Sequence, residues 1–117
     1  MLHGTFEATY QGAFGHGIAR FIAKNGEIFG SDAGGGQYFG TAELNDETGC
    51  YDIRMSLSLL FPNYLVTDGV VHSPNERFPI CISVRPEQFG QPVTANLPMG
   101  PVTFVLRRIG DVPQVAA

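Results

Sequence analysis

The chain has 117 residues, 44% of them apolar and only 15% charged, with 15 Gly and 8 Pro; this length supports one core without staples, and this composition excludes disorder and disfavours helix. Eleven acidic against seven basic residues give a formal net charge of −4, and only Arg107 and Arg108 adjoin. The clustered positive surface that direct DNA or RNA contact requires is therefore missing.

Leu2–Tyr10 reads as a first strand, and Gln11-Gly12-Ala13-Phe14-Gly15 as the turn that ends it. Next, Gly15–Asp32 reads as a β-hairpin closed on Asn25-Gly26, because both residues tolerate the positive φ of a type I′ turn. Three glycines, Gly34 to Gly36, then mark a loop that needs positive φ or close backbone approach. No Lys and no helix follow them, so a phosphate cradle is not expected.

Tyr38–Leu44 is the fourth strand, and Asn45–Gly49 a polar turn into the fifth. In Cys50–Leu59 the residues Ile53, Met55, Leu57 and Leu59 share one face while Arg54, Ser56 and Ser58 share the other. Such alternation predicts one buried and one wet face. Tyr64–His72, Phe78–Arg85 and Val102–Ile109 read as further strands, and Val93–Leu97 could add a short one. Prolines interrupt every window that could otherwise show helical spacing.

The expected fold is all-β: a single antiparallel meander of roughly eight strands over residues 1–110, closed into a barrel so that no sticky edge remains. A disordered tail is expected over 111–117. Such a barrel has an interior just wide enough for its own side chains or one small ligand. The inward aromatics and aliphatics expected there are Phe21, Phe29, Tyr38, Met55, Leu57 and Phe104. They would fill the core or line an apolar cavity for a lipid or similar molecule.

Little in the sequence points to catalysis. His3, His16 and His72 lie far apart, with no carboxylate or second His at metal-binding spacing, so neither a metal nor a cofactor is expected. Cys50 and Cys81 sit on predicted strands as small buried hydrophobes, with a bridge between them the alternative. The local acidic cluster is Asp46-Glu47, flanked by Asn45 and Thr48 and with Glu43 and Asp52 near it. On a turn these side chains are solvated, or else form an acidic recognition patch at one end of the barrel. The N-terminus has neither a basic nor an apolar leader region, and no apolar run could span a bilayer, so a cytoplasmic protein is expected. A homodimer is expected, with either an unpaired apolar edge or the face carrying Leu59, Leu60 and Phe61 burying against a second copy about a two-fold axis.

Gly15-x-Gly17-Ile18-Ala19-Arg20-Phe21, then Asn25-Gly26-Glu27-Ile28-Phe29-Gly30-Ser31-Asp32, then Tyr38-Phe39-Gly40 resembles the GrlR-like family of type III secretion negative regulators. Val102–Arg108 is similar to the last strand of that family, with its basic end. The resemblance implies a lipocalin-like, usually dimeric barrel that acts by binding and has no enzymatic activity. It implies a helix-turn-helix transcriptional activator as protein partner, and a lipid or other apolar ligand in the barrel. The acidic run that grips the activator in the best-known member corresponds here to Asn45-Asp46-Glu47-Thr48, which keeps only two of the charges.

Overall fold

A computed structural model describes residues 1–114 of the chain. It contains β1 (Gly4–Gly12), β2 (Gly15–Lys24), β3 (Glu27–Asp32), β4 (Gly36–Asn45), β5 (Cys50–Leu59), β6 (Asn63–Tyr64), β7 (Val71–His72), β8 (Phe78–Val84), β9 (Pro92–Leu97) and β10 (Gly100–Gly110). One 3₁₀ turn, Pro86–Gln88, lies between β8 and β9. Eight strands form one antiparallel sheet in the order β8-β5-β4-β3-β2-β1-β10-β9, curled until its two edges approach. The expected all-β meander is therefore present.

Local chemistry explains the elements. Asn25 and Gly26 both take positive φ, 54° and 82°, which is what the tight β2–β3 turn requires. Period-two alternation then sends Ile53, Leu57 and Leu59 inward to burial. Phe6, Ile28, Ile53 and Val84 are the largest fully buried side chains, each stabilising the fold by roughly 1.5–3 kcal/mol relative to exposure.

Three expectations need correction. Tyr64–His72 is not a barrel strand: Thr67-Asp68-Gly69 breaks it into the two-residue strands β6 and β7, a separate small hairpin. Here the Gly69 N–H donates to the Leu65 carbonyl at 2.8 Å and the Leu65 N–H to the Val70 carbonyl at 3.1 Å. The eighth barrel strand is instead β9, which pairs with β10 from Leu97↔Gly100 to Pro92↔Val105. Closure is also incomplete, since β8 and β9 form no ladder with each other. Pro79 on β8 and Pro92 on β9 remove N–H donors from these two edge strands.

Both cysteines are free, and neither is the buried hydrophobe expected. Cys81 is exposed because its parity on β8 is opposite to that of Ile80 and Ile82, and Cys50 at the start of β5 is half-buried. Of the expected tail, Asp111 is held: its carbonyl accepts from Thr5 Oγ1 at 2.7 Å and its carboxylate from Arg108 at 2.8 Å. Residues 112–114 have no regular structure, and 115–117 lie outside the described residues.

Candidate functional site

Antiparallel strands place alternate connections at opposite ends of the barrel, and the two ends differ. At the end carrying the β2–β3 and β4–β5 turns, the segment after β8 tucks Phe89 across the opening. Phe89 meets Phe6 edge-on and stacks on Tyr51, with centroids 6.1 Å apart in both pairs. That end is filled.

At the other end the inward positions of β1 and β2 hold Ala8, Gly17 and Ala19 beside the larger Phe21, Tyr38 and Phe104. Small residues where a filled barrel would need bulk leave a cavity of about 280 Å³. Of the residues expected to line a cavity, Phe21, Tyr38, Met55, Leu57 and Phe104 do so. Phe29 does not: it is 43% exposed and lies on the outer face opposite Ile22 and Phe39. Its neighbour Ile28 has the inward parity, so Ile28 and not Phe29 reaches the core.

Counting inward by twos from Ile28 also brings in Asp32, a cavity residue the sequence analysis did not single out. Its Oδ1 accepts from the backbone N–H groups of Gly34 at 2.9 Å and Gly36 at 2.8 Å. Its Oδ2 accepts from the hydroxyls of Tyr38 at 2.7 Å and Tyr10 at 3.1 Å. Four donors converge on one carboxyl group, which fits its acceptor-only ionised form. The glycine triplet is thus an anion-holding loop for the protein's own side chain: a Cβ at Gly36 would stand 2.3 Å from Asp32 Oδ2.

Burial and the adjacent Asp32 charge push Tyr10 up to about 12. Burial, Tyr10 and Asp32 raise Tyr38 well above the ordinary tyrosine value. Both phenols are thereby kept protonated, away from the range a general base needs at neutral pH. A Cβ at Gly17 would fall 2.4 Å from the Tyr10 hydroxyl, so Gly17 provides the space in which that ring lies.

Residues 60–77 cross this end as a lid. The Phe14 N–H donates to the Val66 carbonyl at 2.8 Å, and Asn63 Nδ2 to the Gly34 carbonyl at 3.0 Å. The lid lies so close that a Cβ at Gly12 would stand 2.3 Å from the Val66 oxygen and one at Gly100 2.8 Å from the Thr67 oxygen. Leu65 is buried beneath it, and the Thr67 hydroxyl is buried with no hydrogen-bond partner. Of the expected apolar face, Leu59 points into the barrel, whereas Leu60 and Phe61 are exposed on the lid.

His72 is braced between two lid carboxylates, contrary to the expectation of a histidine without acidic neighbours. Its Nε2 lies 2.8 Å from Asp68 Oδ2 and its Nδ1 3.0 Å from Glu76 Oε1. Glu76 and then Asp68 raise the imidazole above its ordinary value. The brace spends both ring nitrogens on carboxylates, and no group of three or more His, Cys, Asp or Glu among the described residues is placed to hold a metal.

The acidic turn lies at the filled end. Asp46, Glu47 and Thr48 are exposed, and Asn45 organises them: its Oδ1 accepts from the Glu47 N–H at 3.0 Å and its Nδ2 donates to Asp52 at 3.3 Å. The Ser83 hydroxyl, and then Asn45, hold Asp52 below the ordinary carboxylate range. Neither Asp46 nor Glu47 joins an ion pair among the described residues. No helix among them is long and apolar enough to cross a membrane. Comparison with known proteins adds no relative: no family model, curated protein or solved structure matches the chain.

Proposed function

We propose that this protein is a non-enzymatic binding module that takes one small apolar ligand in the lidded half of its barrel. The observation that carries this reading is the apolar cavity of about 280 Å³ beneath residues 60–77. Concave, mostly apolar sites with a few convergent polar groups are where small molecules bind. Neither tyrosine is suited to act as a general base there, since both are held protonated.

Native mass spectrometry of the gently purified protein, followed by titration with ethylbenzene, tests it. Met55→Trp places bulk in the cavity and should abolish uptake while the circular dichroism spectrum is retained. Undiminished ethylbenzene binding by a folded Met55→Trp variant would sink the reading.

A second function belongs to the opposite end. The exposed, unbridged Asp46 and Glu47 favour a basic protein partner, which the GrlR-like resemblance suggests is a helix-turn-helix activator. Charge complementarity of this kind mainly speeds association. Asp46→Ala with Glu47→Ala should slow association with such a partner and flatten its salt dependence. An unchanged salt slope in surface-plasmon kinetics would remove the turn from the interface. Because the two sites occupy opposite ends, a ligand in the cavity and a partner on the turn do not compete for space.

A further inference from the structure

We infer that the cavity selects an amphipathic cation, an apolar body carrying one ammonium group, over an alcohol or a carboxylate of the same length. The inference rests on the cavity reading above and adds the charge of the ligand.

Charge is the starting point. Asp32 lines the cavity as a half-buried carboxylate, and among the described residues it joins no ion pair. All four of its hydrogen bonds come from neutral donors, two backbone N–H groups and two phenols, which hold the ionised form without cancelling its charge. Among the described residues no Lys or Arg lines the cavity. His16 does line it, but that side chain is exposed and forms no ion pair with Asp32. Tyr10 and Tyr38, held protonated, add no charge of their own. What results is an apolar cleft with one fixed negative charge, and low-dielectric walls focus such a field on a ligand of opposite sign.

The side chains around Asp32 suit the same head group. Tyr10 and Tyr64 lie over one face of β2: a Cβ at Gly17 would stand 2.4 Å from the Tyr10 hydroxyl, and one at Gly15 3.4 Å from that of Tyr64. Aromatic rings attract a cation, and the Tyr10 oxygen, having given its proton to Asp32, keeps lone pairs for an ammonium N–H. Asn63 is engaged by the backbone, its Nδ2 donating to the Gly34 carbonyl at 3.0 Å and its Oδ1 accepting from the Tyr64 N–H at 2.9 Å. It thereby ties Tyr64 to the glycine loop that Asp32 organises. A carboxylate at this end would lie near a like charge, and an alcohol would gain little from that charge. The apolar body is left to Phe21, Met55, Leu57 and Phe104.

Isothermal titration calorimetry of the full chain at pH 7 with octylammonium, 1-octanol, octanoate and ethylbenzene tests the assignment. Octylammonium is expected to bind at least about tenfold more tightly than octanol, the scale of one hydrogen bond or contact to a charged group, with octanoate weakest. Asp32→Asn keeps an oxygen for the Gly34 and Gly36 N–H groups and removes the charge, so it should erase the preference for octylammonium and leave ethylbenzene binding unchanged. Should that variant fail to fold, the comparison of octylammonium with octanol on the unaltered protein still decides. Equal affinities for those two would overturn the inference, as would a preference for octanoate, which would make His16 the residue that reads the head group. A folded Asp32→Asn variant that keeps the preference for octylammonium would also overturn it. In each of these cases ethylbenzene binding leaves the cavity reading in place, whereas binding of none of the four would overturn both.

Discussion

The two ends of this barrel are built from the same strands and solve opposite problems. At one end Phe89, Phe6 and Tyr51 interlock and Val84 is fully buried beside them. At the other, small residues on β1 and β2 leave space, and a lid held by glycine contacts covers it. The same register that gives one end a packed core gives the other a cavity with a half-buried carboxylate. Packed core and cavity are thus separated along one axis, and the difference can be measured by perturbing matched positions.

The largest contrast is expected from truncating aromatics. Phe6→Ala removes a ring that is 1% exposed and wedged against Phe89, and should cost about 3–5 kcal/mol in urea denaturation. Phe104→Ala removes the same atoms from the cavity wall, where one side of the ring already lacks neighbours. Its cost should be smaller by about 1 kcal/mol or more, because fewer dispersion contacts are lost. Equal losses would mean that the cavity end is as tightly packed as the plugged one.

A smaller and reversed contrast comes from adding bulk. Ala23 is 0% exposed near the filled end, and Ala23→Leu should destabilise by about 1–3 kcal/mol through overpacking. Ala8 faces the cavity, so Ala8→Leu should leave stability within about 1 kcal/mol of the parent while reducing ligand uptake. Thermal melts of the two variants decide whether the space is usable volume.

How far these ends could be foreseen depended on which signal each used. The alternation in Ile53, Met55, Leu57 and Leu59, and the Asn25-Gly26 turn, are local, and both carried through to the structure. Glu27–Asp32 misled because it has apolar residues on both faces: aromatic size pointed to Phe29, whereas parity with Ile28 assigns the interior to Asp32. Strand parity was the better guide. The lid escaped because Leu65-Val66 and Val70-Val71 have strand-like composition, and only the intervening Thr67-Asp68-Gly69 shows that they fold back on themselves. Asp68, His72 and Glu76 stand at spacings of four, which suggests neighbours in a helix; here turns bring them together. The Asp32–Tyr10–Tyr38 group joins three strands and has no local signature at all.

The smallest expected effect falls on the lid alone and is driven by pH. His72 has its folded value raised above 6.5, first by Glu76 and then by Asp68. Its contribution to holding the lid is therefore complete below about 6.5, the value of the unfolded chain, and declines as pH rises through the higher folded value. The carboxylates act in the opposite sense. His72 and the Ser73 N–H lower Glu76; burial pushes Asp68 up, but the Val70 N–H and His72 outweigh it and leave it lowered. Their contributions are complete above the ordinary carboxylate range and are lost as pH falls through the lowered values. Lid protection should therefore peak between those limits, in mildly acidic solution. Hydrogen exchange, corrected for intrinsic rates, should show amides such as Leu65 and Gly69 opening more readily as pH is raised past the His72 transition, with Gly90 at the filled end unaffected. His72→Gln should flatten the lid's profile and leave the filled end unchanged. Parallel profiles at both ends would mean that the lid opens only when the whole barrel does, which would undo the separation of the two halves.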